Sequence, residues 1–163
     1  MPSFKTSRRV RHSASEMFAL VADVERYPEF VPLCRALRVK RRTQAAEGVE
    51  VLLADMEVGY RAIREKFTSR VTLNRPRQEI LVEYVDGPFS HMNNVWSFFD
   101  EPTADDDPRP ASRVEFFISY QFRSRVLGAL MGSMFEAAFR KFASAFEAQA
   151  DAVYATKTGV RVR

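Results

Sequence analysis

A long apolar run close to the carboxyl end constrains the fold of this chain more than any other feature. Residues 126–154 contain no proline, and large apolar side chains recur there at steps of three and four residues, the period of one helical face. Polar side chains recur at the same steps on the opposite face. The pattern predicts a helix of roughly 40 Å, at about 1.5 Å per residue. Its wide apolar side needs a large partner surface.

Two glycines and two methionines mark the first half of this predicted helix. Gly128 and Gly132 each cost about 1 kcal/mol of helix propensity relative to alanine. Met131 and Met134 are flexible side chains that fill irregular space. Two interpretations follow. Either this is a core helix with loose packing, or this half of the helix lines a cavity where a ligand approaches the backbone.

The first residues of the chain predict one strand and two short helices. Residues 4–10 alternate as a strand does, and residues 13–16 (Ser-Ala-Ser-Glu) form a capping-box pattern ahead of an apolar run. Pro28 and Pro32 follow, and two prolines four residues apart prevent a long helix. A short helical turn between them is therefore expected.

The middle of the chain reads as strands. About six are predicted between residue 37 and residue 122, and the last of them, residues 114–122, alternates most clearly. Because no helix separates these strands, they are expected to pair as an antiparallel meander. The predicted fold is α+β: a curved antiparallel sheet of about seven strands wrapped around the long carboxyl-terminal helix, with two short helices after the first strand.

Length and composition indicate one domain. The 163 residues are 46% hydrophobic, and Cys34 is the only cysteine, so no internal disulfide can form. We expect a single domain over residues 1–155 and a disordered tail over residues 156–163. The first residues lack the apolar segment of a signal peptide, and no apolar stretch is long enough to span a bilayer. A cytoplasmic location is therefore expected, with peripheral contact to the inner membrane as an option.

Charge is unevenly distributed although the net charge is only +4. Residues 1–42 contain ten basic and four acidic side chains, whereas residues 100–107 form a compensating acidic stretch. Such a basic end suits anionic lipid or RNA, and it also occurs as a solvated face without a partner. The candidate basic surface consists of Arg38, Lys40, Arg41 and Arg42.

The motifs of catalysis and metal binding are missing from the sequence. His12 and His91 are the only histidines, and neither has the spacing of a zinc site or of a nucleophile–base pair. Asn93 and Asn94 offer hydrogen bonds to a ligand or simply mark a strand end. Many phenylalanines, adaptable methionines and few convergent polar groups suit an apolar ligand bound mainly by area. No metal and no required cofactor are expected.

Four segments together resemble one family. They are residues 15–18 (SEMF), residues 21–34 (VADVERYPEFVPLC), residues 86–89 (DGPF) and residues 96–98 (WSF). These segments resemble the coenzyme Q-binding protein family of the START-like, polyketide-cyclase-like superfamily. The same family includes bacterial ribosome-association toxin proteins. The resemblance extends from about Phe4 to Tyr154, and the long acidic stretch 100–110 departs from it.

The resemblance implies a helix-grip fold with a deep apolar cavity between sheet and helix, and no established catalytic residues. Ubiquinone is the implied ligand, held to support respiratory electron transport or quinone biosynthesis. Strand parity places the quinone head near the short helices and the isoprenoid tail along the long helix. The candidate cavity residues are Tyr27, Phe30, Val31, Phe67, Trp96, Phe98, Phe116, Ile118, Leu130, Met131, Met134, Phe135 and Phe139.

Two other functions stay open. The toxin-like members imply binding to the large ribosomal subunit and a block of subunit joining, for which the basic surface would contact RNA phosphates. Superfamily membership also allows an enzyme acting on polyketide-like substrates, although a shared fold does not establish function.

Overall fold

The computed structural model describes residues 2–60 and 62–154. It contains seven strands: β1 (Ser3–Val10), β2 (Cys34–Ala46), β3 (Val49–Tyr60), β4 (Ile63–Asn74), β5 (Glu79–Asp86), β6 (Phe89–Asp100) and β7 (Ser112–Phe122). The helices are α1 (Ala14–Ala22), a 3₁₀ helix (Val24–Glu29) and α2 (Arg125–Tyr154).

The strands form one sheet in the order β1-β7-β6-β5-β4-β3-β2, and every neighbouring pair is antiparallel. The predicted α+β helix-grip fold, with its seven strands, two short helices and long final helix, is confirmed. The second short helix spans Val24–Glu29 and contains Pro28, so the helical turn expected between Pro28 and Pro32 lies earlier in the chain. The predicted disordered tail, residues 156–163, lies outside the described residues. The single-domain assignment stays a prediction.

The capping box sets the start of α1. The Ser13 hydroxyl accepts a hydrogen bond from the backbone N–H of Glu16 at 3.1 Å, and the Glu16 carboxylate accepts one from the Ser13 N–H at 2.9 Å. A cap of this kind contributes about 1 kcal/mol. Asp100 accepts a third bond from the Ala14 N–H at 2.9 Å, so the end of β6 also holds the first turn of α1.

The carboxyl-terminal half of α2 is tied to the rest of the molecule by polar contacts. Arg8 Nε lies 2.6 Å from Glu147 Oε1, and His12 Nε2 lies 2.6 Å from Asp151 Oδ1. The Tyr154 hydroxyl donates to the backbone carbonyl of Glu16 at 2.8 Å. These contacts fix this half of the helix against β1 and α1.

The first two turns of α2 expose part of their apolar surface, although Met131 is fully buried. Val126 is 70% exposed and Leu130 is 54% exposed. A Cβ added at Gly132 would meet no heavy atom within 4 Å, and one at Gly128 would lie 3.7 Å from the Phe122 side chain. The loose-packing interpretation of these glycines therefore agrees with the structure, and neither glycine belongs to the cavity wall described below.

The acidic stretch between β6 and β7 folds against basic side chains of β1 and its neighbours. Asp107 lies 2.9 Å from Arg109 Nε and 3.0 Å from Arg11, and Glu101 lies 2.9 Å from Arg113. The hydrogen bond from Arg109 lowers the pKa of Asp107 to about 2. These pairings neutralise much of the positive charge near the end of β1, so the basic surface on β2 is the better candidate for an external partner.

Candidate functional site

The concave face of the sheet and the middle of α2 enclose an apolar cavity of about 120 Å³. Strand alternation determines which side chains reach it, because residues directly opposite each other on paired strands point to the same face. On β6 and β7, for example, Trp96 lies opposite Phe116, and Asn94 lies opposite Ile118. The 3₁₀ helix and the start of β2 form one side of the cavity.

Eight of the predicted cavity residues line this space. They come from the short-helix region, from the three strands β4, β6 and β7, and from the middle of α2. They are Tyr27, Val31, Phe67, Trp96, Phe116, Ile118, Phe135 and Phe139.

Five predicted residues lie outside the cavity wall, which corrects the predicted extent of the site. Phe98 packs under α1, with its ring 5.8 Å from Phe18. The Phe30 ring packs edge-on against Phe146, with ring centroids 5.0 Å apart. On α2, Leu130 is 54% exposed, Met134 is half-buried and Met131 is buried in the core away from the cavity. The five residues are Phe30, Phe98, Leu130, Met131 and Met134.

The sequence interpretation missed wall residues on α2 and on the sheet. Ala138, Phe142 and Phe146 continue the predicted apolar stripe of α2 at steps of four, so the helical period already contained the signal. Other missed wall residues occupy the alternating, cavity-facing positions of β3 to β6. A third group surrounds the start of β2. They are Pro32, Leu33, Cys34, Leu37, Ala54, Met56, Val58, Ser69, Val71, Ile80, Val82, Phe89, Met92 and Asn94, together with Val24.

Aromatic rings form the framework of the wall. The Trp96 ring centroid lies 4.7 Å from that of Phe116 and 5.0 Å from that of Phe146, both with tilted, edge-on geometry. Phe142 packs edge-on against Phe116 at 5.7 Å. Such edge-to-face pairs are favourable for aromatic rings.

The volume is small for a ligand site. Ligand pockets commonly measure roughly 300–1,000 Å³, whereas this cavity measures about 120 Å³. A ligand larger than one small ring therefore requires lining side chains or α2 to move outward. Several lining residues are only half-buried, among them Leu33 and Leu37 around the start of β2 and Phe142 on α2, so the wall is thin at more than one place.

Few polar groups face the cavity, and those that titrate do so far from neutral pH. Burial raises the pKa of the Tyr27 phenol above its ordinary value, and its hydroxyl donates to the Val21 carbonyl. Burial also raises the pKa of the Cys34 thiol to about 11. Both groups are protonated at pH 7, so the wall supplies no general base there.

The histidines lie elsewhere. His12 contacts Asp151 at the end of α2, and His91 Nε2 lies 2.9 Å from the Ser119 hydroxyl. Neither lines the cavity. Within residues 2–60 and 62–154, no three His, Cys, Asp or Glu side chains are grouped as a metal ion would require.

Cys34 provides a direct test of the enclosed wall. Its pKa of about 11, against an ordinary value of 9.0, leaves roughly 100-fold less thiolate at pH 8. We expect maleimide to alkylate Cys34 at least 100-fold more slowly in the folded protein than in urea. Because Cys34 is the only cysteine, mass spectrometry of the whole protein reads the rate. Equal rates in the folded and unfolded states would contradict a buried thiol.

The predicted basic surface is divided by a β-bulge. Arg38 lies opposite Asp55, and Arg41 lies opposite Leu53, so both share the convex face of the sheet. The register shifts between Val39 and Arg41, which places Arg42 opposite the buried Leu52.

Ion pairs separate the four basic residues further. Arg42 lies 3.3 Å from Glu50 and 3.6 Å from Glu25, away from the other three. Lys40 lies 3.8 Å from Asp55. Arg38 and Arg41 are exposed and have no ion pair with the described part of the chain. The available basic surface is therefore smaller than the sequence suggested.

An antiparallel sheet that closes on one long helix around an apolar cavity defines the helix-grip, START-like fold. A family described as polyketide cyclase / dehydrase and lipid transport matches residues 10–147, and the chain belongs to this family. The resemblance identified from the sequence motifs is confirmed. In the described part of the chain, no helix combines the length and hydropathy needed to cross a membrane.

Similar relatives carry names that point to different roles. The ribosome association toxin RatA of Escherichia coli (strain K12) is 30% identical over 96% of this chain and 92% of its own length. The mitochondrial coenzyme Q-binding protein COQ10 homolog B of Xenopus laevis is 28% identical over 93% of this chain and 59% of its own length. Among solved structures, the 18 kDa protein CC1736 of Caulobacter crescentus is 32% identical, covers 94% of this chain and 99% of its own, and superposes with a TM-score of 0.74.

Proposed function

We propose that this protein binds ubiquinone, or a similar isoprenoid lipid, in the cavity between sheet and α2, without catalysing a reaction. The observation that carries the proposal is the enclosed cavity with its aromatic and aliphatic wall, in which Trp96, Phe116 and Phe146 surround the space. A relative named as a coenzyme Q-binding protein supports the choice of ligand. In this role the protein supports respiratory electron transport or quinone biosynthesis.

Apolar area supplies most of the affinity in such a site. Burial contributes about 0.8 kcal/mol for each CH₂ removed from water, so even a few isoprene units add substantially to binding. A cavity of about 120 Å³ holds only part of a quinone. We propose that the tail leaves past the half-buried wall residues Leu33 and Leu37 at the start of β2, and that α2, whose Val126 and Leu130 are exposed, shifts outward to admit the ring.

The cavity wall also favours binding over catalysis. The family description includes cyclases, but the titratable side chains on this wall are Tyr27 and Cys34, whose raised pKa values keep them protonated at neutral pH. We therefore propose a non-enzymatic role in the cytoplasm. Peripheral contact with an anionic membrane would let the protein exchange its lipid.

Mass spectrometry of organic extracts tests the ligand assignment. Protein purified from its own host is expected to carry a long-chain quinone at a fraction of a mole per mole, and a mock purification is expected to carry none. Extracts with a different lipid at that ratio would replace ubiquinone with that lipid as the ligand. Equal amounts of quinone in the protein and in the mock purification would count against ubiquinone as the bound ligand.

A ribosome-binding role is the second candidate, and the convex face favours it. Arg38 and Arg41 are exposed there without ion pairs to described residues, and Lys66 is exposed on β4, which β3 separates from β2. Several relatives are named as ribosome association toxins. For this second candidate function, we propose that the convex face contacts RNA phosphates of the large ribosomal subunit.

Charge reversal on the convex face is expected to weaken ribosome binding. Arg38→Glu with Arg41→Glu should lower the affinity for large subunits at least tenfold and reduce the slope of log affinity against log salt by about 1.5, because two phosphate contacts are lost. Sucrose-gradient cosedimentation over a salt series measures both. Arg140→Glu with Lys141→Glu on the exposed side of α2 changes the net charge of +4 by the same amount and is the control. Equal losses in both double variants would point to net charge alone and contradict a specific face.

A further inference from the structure

Two buried polar side chains interrupt the apolar wall of the cavity. Ser69 is 6% exposed and Asn94 is 8% exposed, and both line the cavity. A polar group buried without a hydrogen bond is costly, so such groups are normally satisfied. In this wall, both Ser69 and Asn94 keep a polar atom that has no hydrogen-bond partner among the described residues.

The Asn94 amide is held in one orientation. Its Nδ2 donates a hydrogen bond of 2.8 Å to the backbone carbonyl of Phe117. Because that carbonyl only accepts, the nitrogen of the amide must face it, and Oδ1 is the atom left over. Within residues 2–60 and 62–154, neither Asn94 Oδ1 nor Ser69 Oγ has a hydrogen-bond partner.

These two atoms differ from a hydroxyl that is simply sealed in the core. Ser112 Oγ is fully enclosed by protein and also lacks a partner. Asn94 Oδ1 and Ser69 Oγ are not enclosed in this way, and their residues form part of the cavity wall. They therefore face the space that a ligand would fill.

The register of the sheet gives their spacing. Asn94 lies opposite Val82 and Ser69 lies opposite Tyr84, and these partners are two residues apart on β5. The two polar side chains thus flank β5 on its concave face, with Cα atoms about 12 Å apart from strand spacing and rise. One small polar group cannot bind both, whereas oxygens at opposite positions of one ring can approach both.

We propose that Ser69 and Asn94 bind the oxygenated ring of the ligand, and that the site prefers the reduced, hydroxyl-bearing ring to the quinone. Asn94 Oδ1 is an acceptor, so a hydroquinone hydroxyl satisfies it and a quinone carbonyl does not. The Ser69 hydroxyl both donates and accepts, so it pairs with either form. This inference rests on the proposed lipid-binding function and adds the recognition residues and the redox form of the ligand.

The proposal also reverses the predicted orientation of the ligand. The sequence interpretation placed the ring near Tyr27, Phe30 and Val31, but the Tyr27 hydroxyl already donates to the Val21 carbonyl. The unpartnered polar atoms lie instead on the strands β4 and β6. The ring therefore enters first, and the tail extends towards the half-buried residues at the start of β2.

Calorimetric titration in oxygen-free buffer tests the preference. The probes are a decyl-substituted benzohydroquinone, the matching decyl benzoquinone and decylbenzene. For the unmodified protein we expect about tenfold tighter binding of the hydroquinone than of the quinone, the size of one good hydrogen bond. By linkage, that ratio raises the midpoint potential of the bound couple by about 30 mV. Decylbenzene should bind more weakly than both.

Three variants assign the effect to the named side chains. Asn94→Leu, of similar size, should bring the hydroquinone-to-quinone ratio close to one, and Ser69→Ala should weaken both oxygenated probes while leaving decylbenzene unchanged. Ser112→Ala removes a buried hydroxyl outside the cavity and should change nothing. Thermal melting shows that each variant is folded, and Ser69→Ala remains informative should Asn94→Leu unfold.

The outcomes separate this inference from the function it rests on. Failure of all three probes to bind would overturn the lipid-binding function itself. Equal binding of the three probes, or an unchanged tenfold ratio in Asn94→Leu, would overturn only the assignment of ring recognition to these residues.

Discussion

Placing a phenyl ring at Ala54 is expected to reduce the affinity for quinone at least 100-fold. Ala54 is 3% exposed and lies on the concave side of β3, opposite Val39 and Ser69, where it forms part of the cavity wall. In Ala54→Phe the new ring occupies much of a cavity of only about 120 Å³. Because it fills space that is empty, the fold should tolerate it at a cost of about 1–3 kcal/mol.

The matched control places the same ring on the other face of the sheet. Ala36 is exposed on β2 and lies opposite Glu57, on the convex side. Ala36→Phe should bind quinone with unchanged affinity, and circular dichroism should show both variants folded. Full affinity in a folded Ala54→Phe variant would mean that the ligand binds outside this cavity.

Truncating Phe146 is expected to cost the largest amount of stability of any single change proposed, about 3–5 kcal/mol. Phe146 is 2% exposed, and its ring lies 5.0 Å from Phe30, 5.0 Å from Trp96 and 5.4 Å from Tyr27. It therefore joins α2 to both the sheet and the 3₁₀ helix. Phe146→Ala removes this junction and leaves a void.

Urea unfolding measures the loss in Phe146→Ala. The control is Val126→Ala, on the same helix but 70% exposed, which should change the free energy of unfolding by less than about 0.5 kcal/mol. A loss below about 1.5 kcal/mol for Phe146→Ala would show that neighbouring aromatic rings close the void. It would contradict the role of Phe146 as the joint between α2 and the 3₁₀ helix.

Local pattern was enough to predict the architecture. The three- and four-residue steps of α2, the alternation of β7 and the Ser13–Glu16 capping box each specify one element, and their order leaves few topologies. Long, strongly periodic segments carry this information within themselves. The fold therefore follows from the sequence with little ambiguity.

The extent of the site was not predictable in the same way. Met131 lies on the same helical face as Phe135 and is fully buried, yet only Phe135 lines the cavity. Whether a residue on that face reaches the cavity depends on tertiary packing and not on period. The bulge in β2 is similar: one extra residue between Val39 and Arg41 moves Arg42 to the other side of the sheet.

The structure keeps the two proposed functions on separate surfaces. The cavity opens on the concave side of the sheet, whereas Arg38 and Arg41 project from the convex side. Ala54→Phe should therefore leave ribosome cosedimentation unchanged, and the Arg38→Glu, Arg41→Glu variant should bind quinone normally.

Fluorescence of Trp96 tests the central claim most directly. Trp96 is the only tryptophan in the chain, is 4% exposed and forms part of the cavity wall. Titration with a short-chain ubiquinone should reduce its emission in a saturable way at one ligand per chain, and Ala54→Phe should abolish the saturable part. A linear decrease without saturation, equal in both proteins, would show quenching by collision only and would contradict quinone binding in the cavity.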